Sequence, residues 1–138
     1  MIYKNKINLE GTDKELITKI LIESYQHPDT LYILPKDCSH LFSSFIDFEY
    51  IDNWDTSNVT DMSWMFCNSK FNGDISNWDV SNVRYMNYMF EYSEFNGDIS
   101  NWNVSNAKYI QGMFIHSRFN GDVSKWDVSK VIYLMSVF

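Results

Sequence analysis

The chain has 138 residues, of which 45% are hydrophobic and 17% aromatic, so it can bury enough apolar surface to fold as one domain. Its formal net charge of -7, from 18 acidic and 11 basic residues, argues against direct binding of nucleic acid or of an anionic membrane surface. No apolar run reaches the roughly 18 residues that a membrane-spanning helix needs.

Residues 1–36 hold no repeat, and they are predicted to form an N-terminal cap over the rest of the chain. Thr12 and Glu15 have the spacing of a capping box, which predicts a helix over about 13–26 that ends before Pro28. The apolar stripe of this helix consists of Leu16, Ile17, Ile20 and Leu21. Strands are predicted on either side of it, at 6–9 and 30–35.

Residues 37–138 repeat with a period of 24 residues, which is the strongest pattern in the chain. The period is marked by four tryptophans, Trp54, Trp78, Trp102 and Trp126. It divides the segment into the full units 51–74, 75–98 and 99–122 and the partial unit 123–138. A degenerate unit, "CSHLFSSF" at 38–45, comes before them.

Each unit is predicted to contain one short strand and one short helix. In "GDISNWDV" (73–80) the apolar residues fit a kinked strand, and the Asn-Gly dipeptide at its start supplies a turn. In "VTDMSWMF" (59–66) the apolar residues fall at i, i+3, i+6 and i+7, the spacing of one helix face. The Asn column just before this helix, which includes Asn82, is predicted to cap it or to form ladders between units.

The predicted fold is therefore an α/β repeat solenoid. It is a leucine-rich-repeat-like stack of strand–helix coils that form a short parallel sheet, with a helix-containing cap at the N-terminal end. No unit can bury its own apolar side, whereas stacked units cover each other.

Units of the type "FNGDISNWDVSNV" resemble the BspA-like leucine-rich repeat family. In particular they resemble the repeats known as the Mycoplasma domain of unknown function, which also occur in other bacteria and some giant viruses. The resemblance covers roughly 51–138 and, weakly, 38–50. It implies a solenoid that attaches to proteins or surfaces, because family members are often exported lipoproteins or large surface proteins. It implies no catalytic residues.

Aromatic residues at the variable positions of the units are the candidate contact residues for a protein partner. They lie outside the predicted apolar stripe and are Trp64, Tyr85, Tyr88, Tyr92, Tyr109 and His116. Two interpretations stay open: the rings pack between adjacent units, or they form an exposed binding surface.

An acidic stripe is predicted along the stack, because two Asp columns recur with the same period. One column is Asp74, Asp98 and Asp122, and the other is Asp55, Asp79 and Asp127, with Asn103 interrupting it. Like charges about 5 Å apart are unfavourable unless they are compensated. Each Asp is expected to bond a turn N–H or a neighbouring serine; calcium between the carboxylates and plain solvent exposure are the alternatives.

The histidines and cysteines lack the spacing of metal ligands, so no metal site and no cofactor are assigned. Cys38 and Cys67 occupy non-equivalent positions of the repeat and are expected to be reduced thiols. The start of the chain lacks the apolar segment of a secretory signal. This predicts a cytoplasmic protein, or a cell-surface protein if a leader segment is missing from the chain.

The sequence thus predicts a non-enzymatic protein-binding repeat module. One alternative is an acidic inhibitor of phage or virus type, of the anti-defence or anti-CRISPR kind, that blocks the basic groove of a nucleic-acid-binding protein. A second alternative is surface attachment of the BspA type. A homodimer through the last coil, around Phe138, is a further prediction, since no polar cap follows this coil.

Overall fold

The computed structural model describes residues 3–44, 48, 51–134 and 136–138. Its regular elements are strand β1 (Asn5–Asn8), helix α1 (Lys14–Ile22), a 3₁₀ turn (Ser24–Gln26), strand β2 (Thr30–Ile33) and strand β3 (Trp54–Asp55). The strands form one parallel sheet in the order β1-β2-β3. In its register Asn5 pairs with Thr30, and Tyr32 pairs with Trp54.

Helix α1 begins one residue after the position that the capping box predicts. Its N-cap is Asp13, whose side chain accepts a hydrogen bond from the backbone N–H of Leu16 at 3.4 Å. The helix ends at Ile22, short of the predicted limit, and the 3₁₀ turn follows it. Ile17 and Leu21 are buried as the pattern predicts, whereas Leu16 is exposed.

Helix α1 lies against residues 38–44, where two of its side chains donate hydrogen bonds to backbone carbonyls. Thr18 Oγ1 donates to the Leu41 carbonyl at 2.8 Å, and Lys14 Nζ donates to the Ser39 carbonyl at 3.0 Å. The two donors are four residues apart and so share one helix face. One unit further along the chain, the equivalent carbonyls accept N–H groups from the preceding unit. The helix therefore supplies donors that a preceding unit would otherwise supply.

The segment that the apolar spacing predicts as helical is not a helix: in each full unit it begins with an isolated bridge and continues into a run of overlapping turns. Alternate N–H groups leave the unit: those of Met62 and Trp64 donate to the carbonyls of Tyr85 and Asn87 in the next unit, at 2.8 and 2.9 Å. The N–H groups between them close turns, as from Met65 to the Met62 carbonyl at 3.2 Å. An α-helix would bond its N–H groups internally and leave the carbonyls of the next unit without donors.

Two positions in these turn runs have positive φ, which a right-handed helix excludes. In the first full unit they are Trp64 and Asn68, with φ of 55° and 56°. They recur as Tyr88 and Tyr92, and as Gly112 and His116. The turns still direct Val, Met and Phe side chains inward. The i, i+3, i+6, i+7 spacing of apolar residues therefore belongs here to a conformation other than the helix.

The segment predicted as a strand at 73–80 forms no strand and contains a turn at 76–77. Asp74 Oδ1 accepts the N–H of Ser76 at 2.9 Å, and the N–H of Trp78 closes a turn on the Ile75 carbonyl at 3.1 Å. Because these N–H groups are bonded locally, the segment does not pair as a sheet ladder. Within the described units, parallel pairing beyond β3 consists of isolated bridges that join Asp37, Asp61, Tyr85, Tyr109 and Tyr133 in turn.

Columns of phenylalanines run through the core, which also contains methionines, tryptophans and aliphatic residues. One column runs through Phe42, Phe66, Phe90, Phe114 and Phe138, whose ring centroids are 5.4–5.7 Å apart. A second column runs through Phe71, Phe95 and Phe119, at 6.2–6.4 Å. Rings of the two columns also meet, at 4.7 Å for Phe66 and Phe71. Each fully buried phenylalanine stabilises the fold by roughly 1.5–3 kcal/mol, so these columns are a large part of its stability.

Asparagine side chains form ladders between consecutive units. Asn82 Nδ2 donates to the Ser57 carbonyl at 2.7 Å, and Asn106 Nδ2 donates to the Ser81 carbonyl at 2.6 Å. Of the two roles predicted for this column, the structure has the ladder, because the segment that follows it is not a helix to be capped. The bonds hold the surface of neighbouring units in one register.

Cys38 and Cys67 are both free thiols, as the sequence predicts. Burial raises the pKa of Cys38 strongly, and the neighbouring charge of Asp37 adds to this effect. Burial also raises the pKa of Cys67, whose Sγ lies 3.8 Å from Glu91 Oε2. Both thiols are therefore poor nucleophiles at neutral pH.

Candidate functional site

The aromatic candidates lie on the outer side of the turn runs, and we call this surface the aromatic face. Its members are Trp64, Tyr85, Tyr88, Tyr92, Tyr109 and His116. Tyr85 and Tyr92 are 41% and 56% exposed, His116 is exposed, and the other three are half-buried. The face exists because methionine and phenylalanine take the inward positions of each turn run, which leaves the variable positions outside.

The six side chains form three stacked pairs, each between neighbouring units. The ring centroids of Tyr85 and Tyr109 are 5.2 Å apart with an interplanar angle of 1°. Trp64 and Tyr88 stack at 5.2 Å, and Tyr92 and His116 stack at 4.7 Å. The rings thus pack between units, as one of the two interpretations predicts, and they remain partly exposed. The binding surface remains a prediction.

This stacking determines which ligands the aromatic face can contact. Within a pair, one face of each ring lies against its neighbour, and Trp64 also stacks on His40 at 5.1 Å, so part of the ring surface is closed to a ligand. Nucleobases bind to aromatic side chains through open ring faces. Protein side chains also pack against ring edges and accept hydrogen bonds from tyrosine hydroxyls.

Gly112 continues the column of Trp64 and Tyr88 and accommodates the Tyr88 ring. A Cβ atom at this position would lie 2.3 Å from Tyr88 Cε1. Gly112 also has a φ of 64°, in the left-handed region that glycine adopts without steric cost. Because Gly112 has no side chain, the Tyr88 ring lies over the backbone of the next unit. The aromatic column ends at this glycine.

The acidic stripe is exposed except at Asp55, which is half-buried, and its carboxylates are bonded within their own units. Asp98 Oδ1 accepts the N–H and the hydroxyl of Ser100, at 2.9 and 2.7 Å. The same bond from the N–H of the serine two residues on recurs at Asp55, Asp74, Asp79, Asp122 and Asp127. Asn103 makes it too, with the N–H of Ser105 at 3.1 Å. The turn therefore needs a side-chain oxygen and not a charge.

These bonds lower the pKa of Asp74, Asp98, Asp122 and Asp127. The side chain and then the backbone N–H of Ser100 hold the pKa of Asp98 below its usual value, and the neighbouring Asp122 opposes this only weakly. The serine of the same turn lowers the pKa of Asp122 in the same way. Among the residues that the structure describes, no group of three or more His, Cys, Asp or Glu side chains could hold a metal ion.

A basic column lies beside the aromatic face, and the sequence analysis does not single it out. Lys36, Arg84 and Lys108 occupy equivalent positions of their units, with Thr60 between the first two. Lys36 and Arg84 line a cleft of about 300 Å³. The cleft is also lined by Asn58, Thr60, Asn82 and Asn106. The first member, Lys36, lies at the boundary between the predicted cap and the repeats. The column is therefore visible in the sequence only if the 24-residue register is continued back into the cap.

An apolar groove lies at the last coil, where a homodimer contact is predicted. It has a volume of about 520 Å³ and is lined by residues that include Phe114, Trp126 and Leu134. Phe138 stacks on Phe114 at 5.4 Å and is 69% exposed. The dimer remains a prediction.

Residues 36–138 match the family model described as Mycoplasma protein of unknown function, DUF285. The chain belongs to this family. The DUF285 match begins at the first member of the basic column and takes in all the stacked units described above, while most of the predicted N-terminal cap lies outside it. No curated protein and no solved structure is significantly similar to the chain. In the part of the chain that is described, no helix has the length and apolar character to cross a bilayer.

Proposed function

We propose that this DUF285 protein is a non-enzymatic protein-binding module whose contact surface is the aromatic face. The observation that carries the proposal is the set of three stacked ring pairs whose outer edges are exposed. Tyrosine and tryptophan are enriched at the energetic centres of protein interfaces.

The face is held in shape before any partner arrives. Alternate backbone N–H groups beneath it bond the next unit, as Tyr88 N–H does with the Gln111 carbonyl at 2.9 Å. Each ring is further held by its stacked neighbour. A surface that is ordered in advance loses little conformational entropy on binding, which favours affinity.

The test compares two variants in affinity capture from a host lysate at high salt. Tyr85→Ser with Tyr92→Ser removes two exposed rings from the aromatic face, whereas Tyr25→Ser removes a ring of 56% exposure from outside it. A partner retained by the natural chain and by the Tyr25 variant, and lost from the double variant, supports the proposal. Equal capture by all three chains refutes it.

We further propose that residues 37–138 form a leucine-rich-repeat-like solenoid of the BspA type. Two kinds of contact between residues 24 positions apart support this. They are the three parallel bridges from Asp61 to Tyr133 and the stacks of aromatic rings. Surface attachment is the function that a solenoid of this type implies. The location of the protein is then either the cytoplasm or the cell surface. Detection of the protein in fractionated host cells distinguishes the two locations.

A second candidate function is an acidic inhibitor of a nucleic-acid-binding protein. It is favoured by the exposed Asp column, in which hydrogen bonds keep Asp74, Asp98 and Asp122 charged. The test is Asp98→Asn with Asp122→Asn, because Asn103 shows that asparagine preserves the turn. Weaker, salt-sensitive binding of a basic partner by this variant supports the inhibitor, while unchanged binding contradicts it.

A further inference from the structure

We propose that the basic column of Lys36, Arg84 and Lys108 binds carboxylate groups of the protein partner, an inference that rests on the proposed function. The backbone places these residues on neighbouring rungs. Thr60 N–H donates to the Lys36 carbonyl, Arg84 N–H to the Thr60 carbonyl, and Lys108 N–H to the Arg84 carbonyl, each at 2.9 Å. Parallel rungs of this kind lie about 4.8 Å apart, so Arg84 and Lys108 are direct neighbours.

Among the residues that the structure describes, no side-chain ion pair neutralises the charges of this column, and the Glu10 carboxylate bonds the backbone N–H of Lys36. Between described side chains the ion pairs are Lys4–Asp29 and Lys14–Asp37, and neither includes a member of the column. All three members are exposed. Like charges on adjacent rungs repel each other, so an anion placed between them gains attraction from both and relieves that repulsion.

The cleft beside the column has the character of an anion site. Its lining holds Lys36 and Arg84 together with Thr60 and three asparagines, and it contains no carboxylate. Bonds to the carbonyls of Ser57 and Ser81 fix Asn82 and Asn106. The cations therefore stand beside a rigid, neutral wall, while the protein as a whole carries a net charge of -7.

The anions that fit are separate carboxylates on a protein and not a phosphate backbone. A nucleic acid brings one phosphate for every nucleotide, and most of these would face the negative remainder of this chain. Tyr85 and Tyr109 directly follow Arg84 and Lys108 in the chain, so an acidic segment on the column would lie against the aromatic face.

The probe for this site is a fluorescein-labelled hexaglutamate peptide, whose binding is followed by fluorescence anisotropy at low salt. The test variant is Arg84→Gln with Lys108→Gln. The matched control, Lys70→Gln with Lys125→Gln, removes the same charge at exposed positions outside the column. We expect affinity about tenfold weaker in the test variant and nearly unchanged in the control, with binding lost at about 1 M salt.

Three results overturn the proposal: no binding of hexaglutamate, equal loss in both variants, or tighter binding of oligothymidylate than of hexaglutamate. The proposed function can fail separately. If hexaglutamate binding fails while Tyr85→Ser with Tyr92→Ser still abolishes partner capture, the module stands without this site. If hexaglutamate binding depends on the column while capture is equal in all chains, the anion site stands and the aromatic face is not the contact surface.

Discussion

Replacing two tryptophans of one column with phenylalanine is expected to have unequal effects on stability. Trp78 and Trp102 are 8% and 4% exposed and lie at equivalent positions of their units. Trp102 Nε1 donates to the Ile75 carbonyl at 3.0 Å, and Trp126 Nε1 bonds the Ile99 carbonyl in the same way. Trp78 Nε1 is buried and has no hydrogen-bond partner. The two substitutions therefore remove the same atoms from similar surroundings. Only the substitution of Trp102 also removes a hydrogen bond.

The expected difference follows from this contrast. Trp102→Phe removes one of the two donors to the Ile75 carbonyl, which keeps the Trp78 N–H, at a cost of about 0.5–1.5 kcal/mol. Trp78→Phe instead removes a buried donor that is already unsatisfied, which recovers a penalty of about 1–3 kcal/mol. The losses of ring contact largely cancel between the two variants. We expect Trp78→Phe to be the less destabilising substitution by about 2 kcal/mol or more.

Urea denaturation followed by circular dichroism measures this difference. With a slope of about 1–3 kcal/mol per molar urea, a gap of this size separates the two midpoints by about 1 M. Trp126→Phe is a second reference, because its indole also bonds a carbonyl. Equal midpoints for the Trp78 and Trp102 variants, or a lower midpoint for Trp78→Phe, would refute the reasoning.

Three further predictions concern other parts of the chain. Gly112→Ala should destabilise the fold by about 1–3 kcal/mol in urea, because of its positive φ and the adjacent ring of Tyr88; no change in midpoint counts against the aromatic column. Cys38 should react with a thiol reagent only after unfolding, since burial raises its pKa; reaction in the native protein contradicts this. Asp98 has a lowered pKa in the folded state, so its contribution to stability is present above about pH 4 and is lost as the pH falls through the folded value. NMR titration should show a midpoint below the usual one, and Ser100→Ala should raise it.

The period of the sequence predicts more of the molecule than its local patterns do. Columns such as Phe66 with Phe90 follow from the 24-residue spacing alone, because equivalent residues of stacked units become neighbours. The stacked pair of Tyr85 and Tyr109 follows in the same way. Candidate residues in the aromatic face and the acidic stripe could therefore be placed together from the sequence.

The conformation within a unit could not be predicted, because it depends on bonds between units. The apolar spacing of 59–66 suits both an α-helix and a run of turns. The choice is made by alternate N–H groups that reach the next unit, and by positive φ at Trp64, a residue type that seldom adopts it. The sequence places Arg84 and Lys108 in one variable column, but Thr60 and Ile132 share that column and Lys36 lies where the predicted cap ends, so its basic character is not apparent.

The ladders of equivalent residues also bear on how the length of such a chain can change. Duplication of one whole 24-residue unit recreates every bond of the type Asn82 to Ser57 and every ring stack of the type Phe66 to Phe90. An insertion of 23 or 25 residues (one short or one over the period) would shift all later columns at once. The length of the protein can therefore change only by whole 24-residue units. Each unit gained or lost adds or removes one rung of the aromatic face, the acidic stripe and the basic column together.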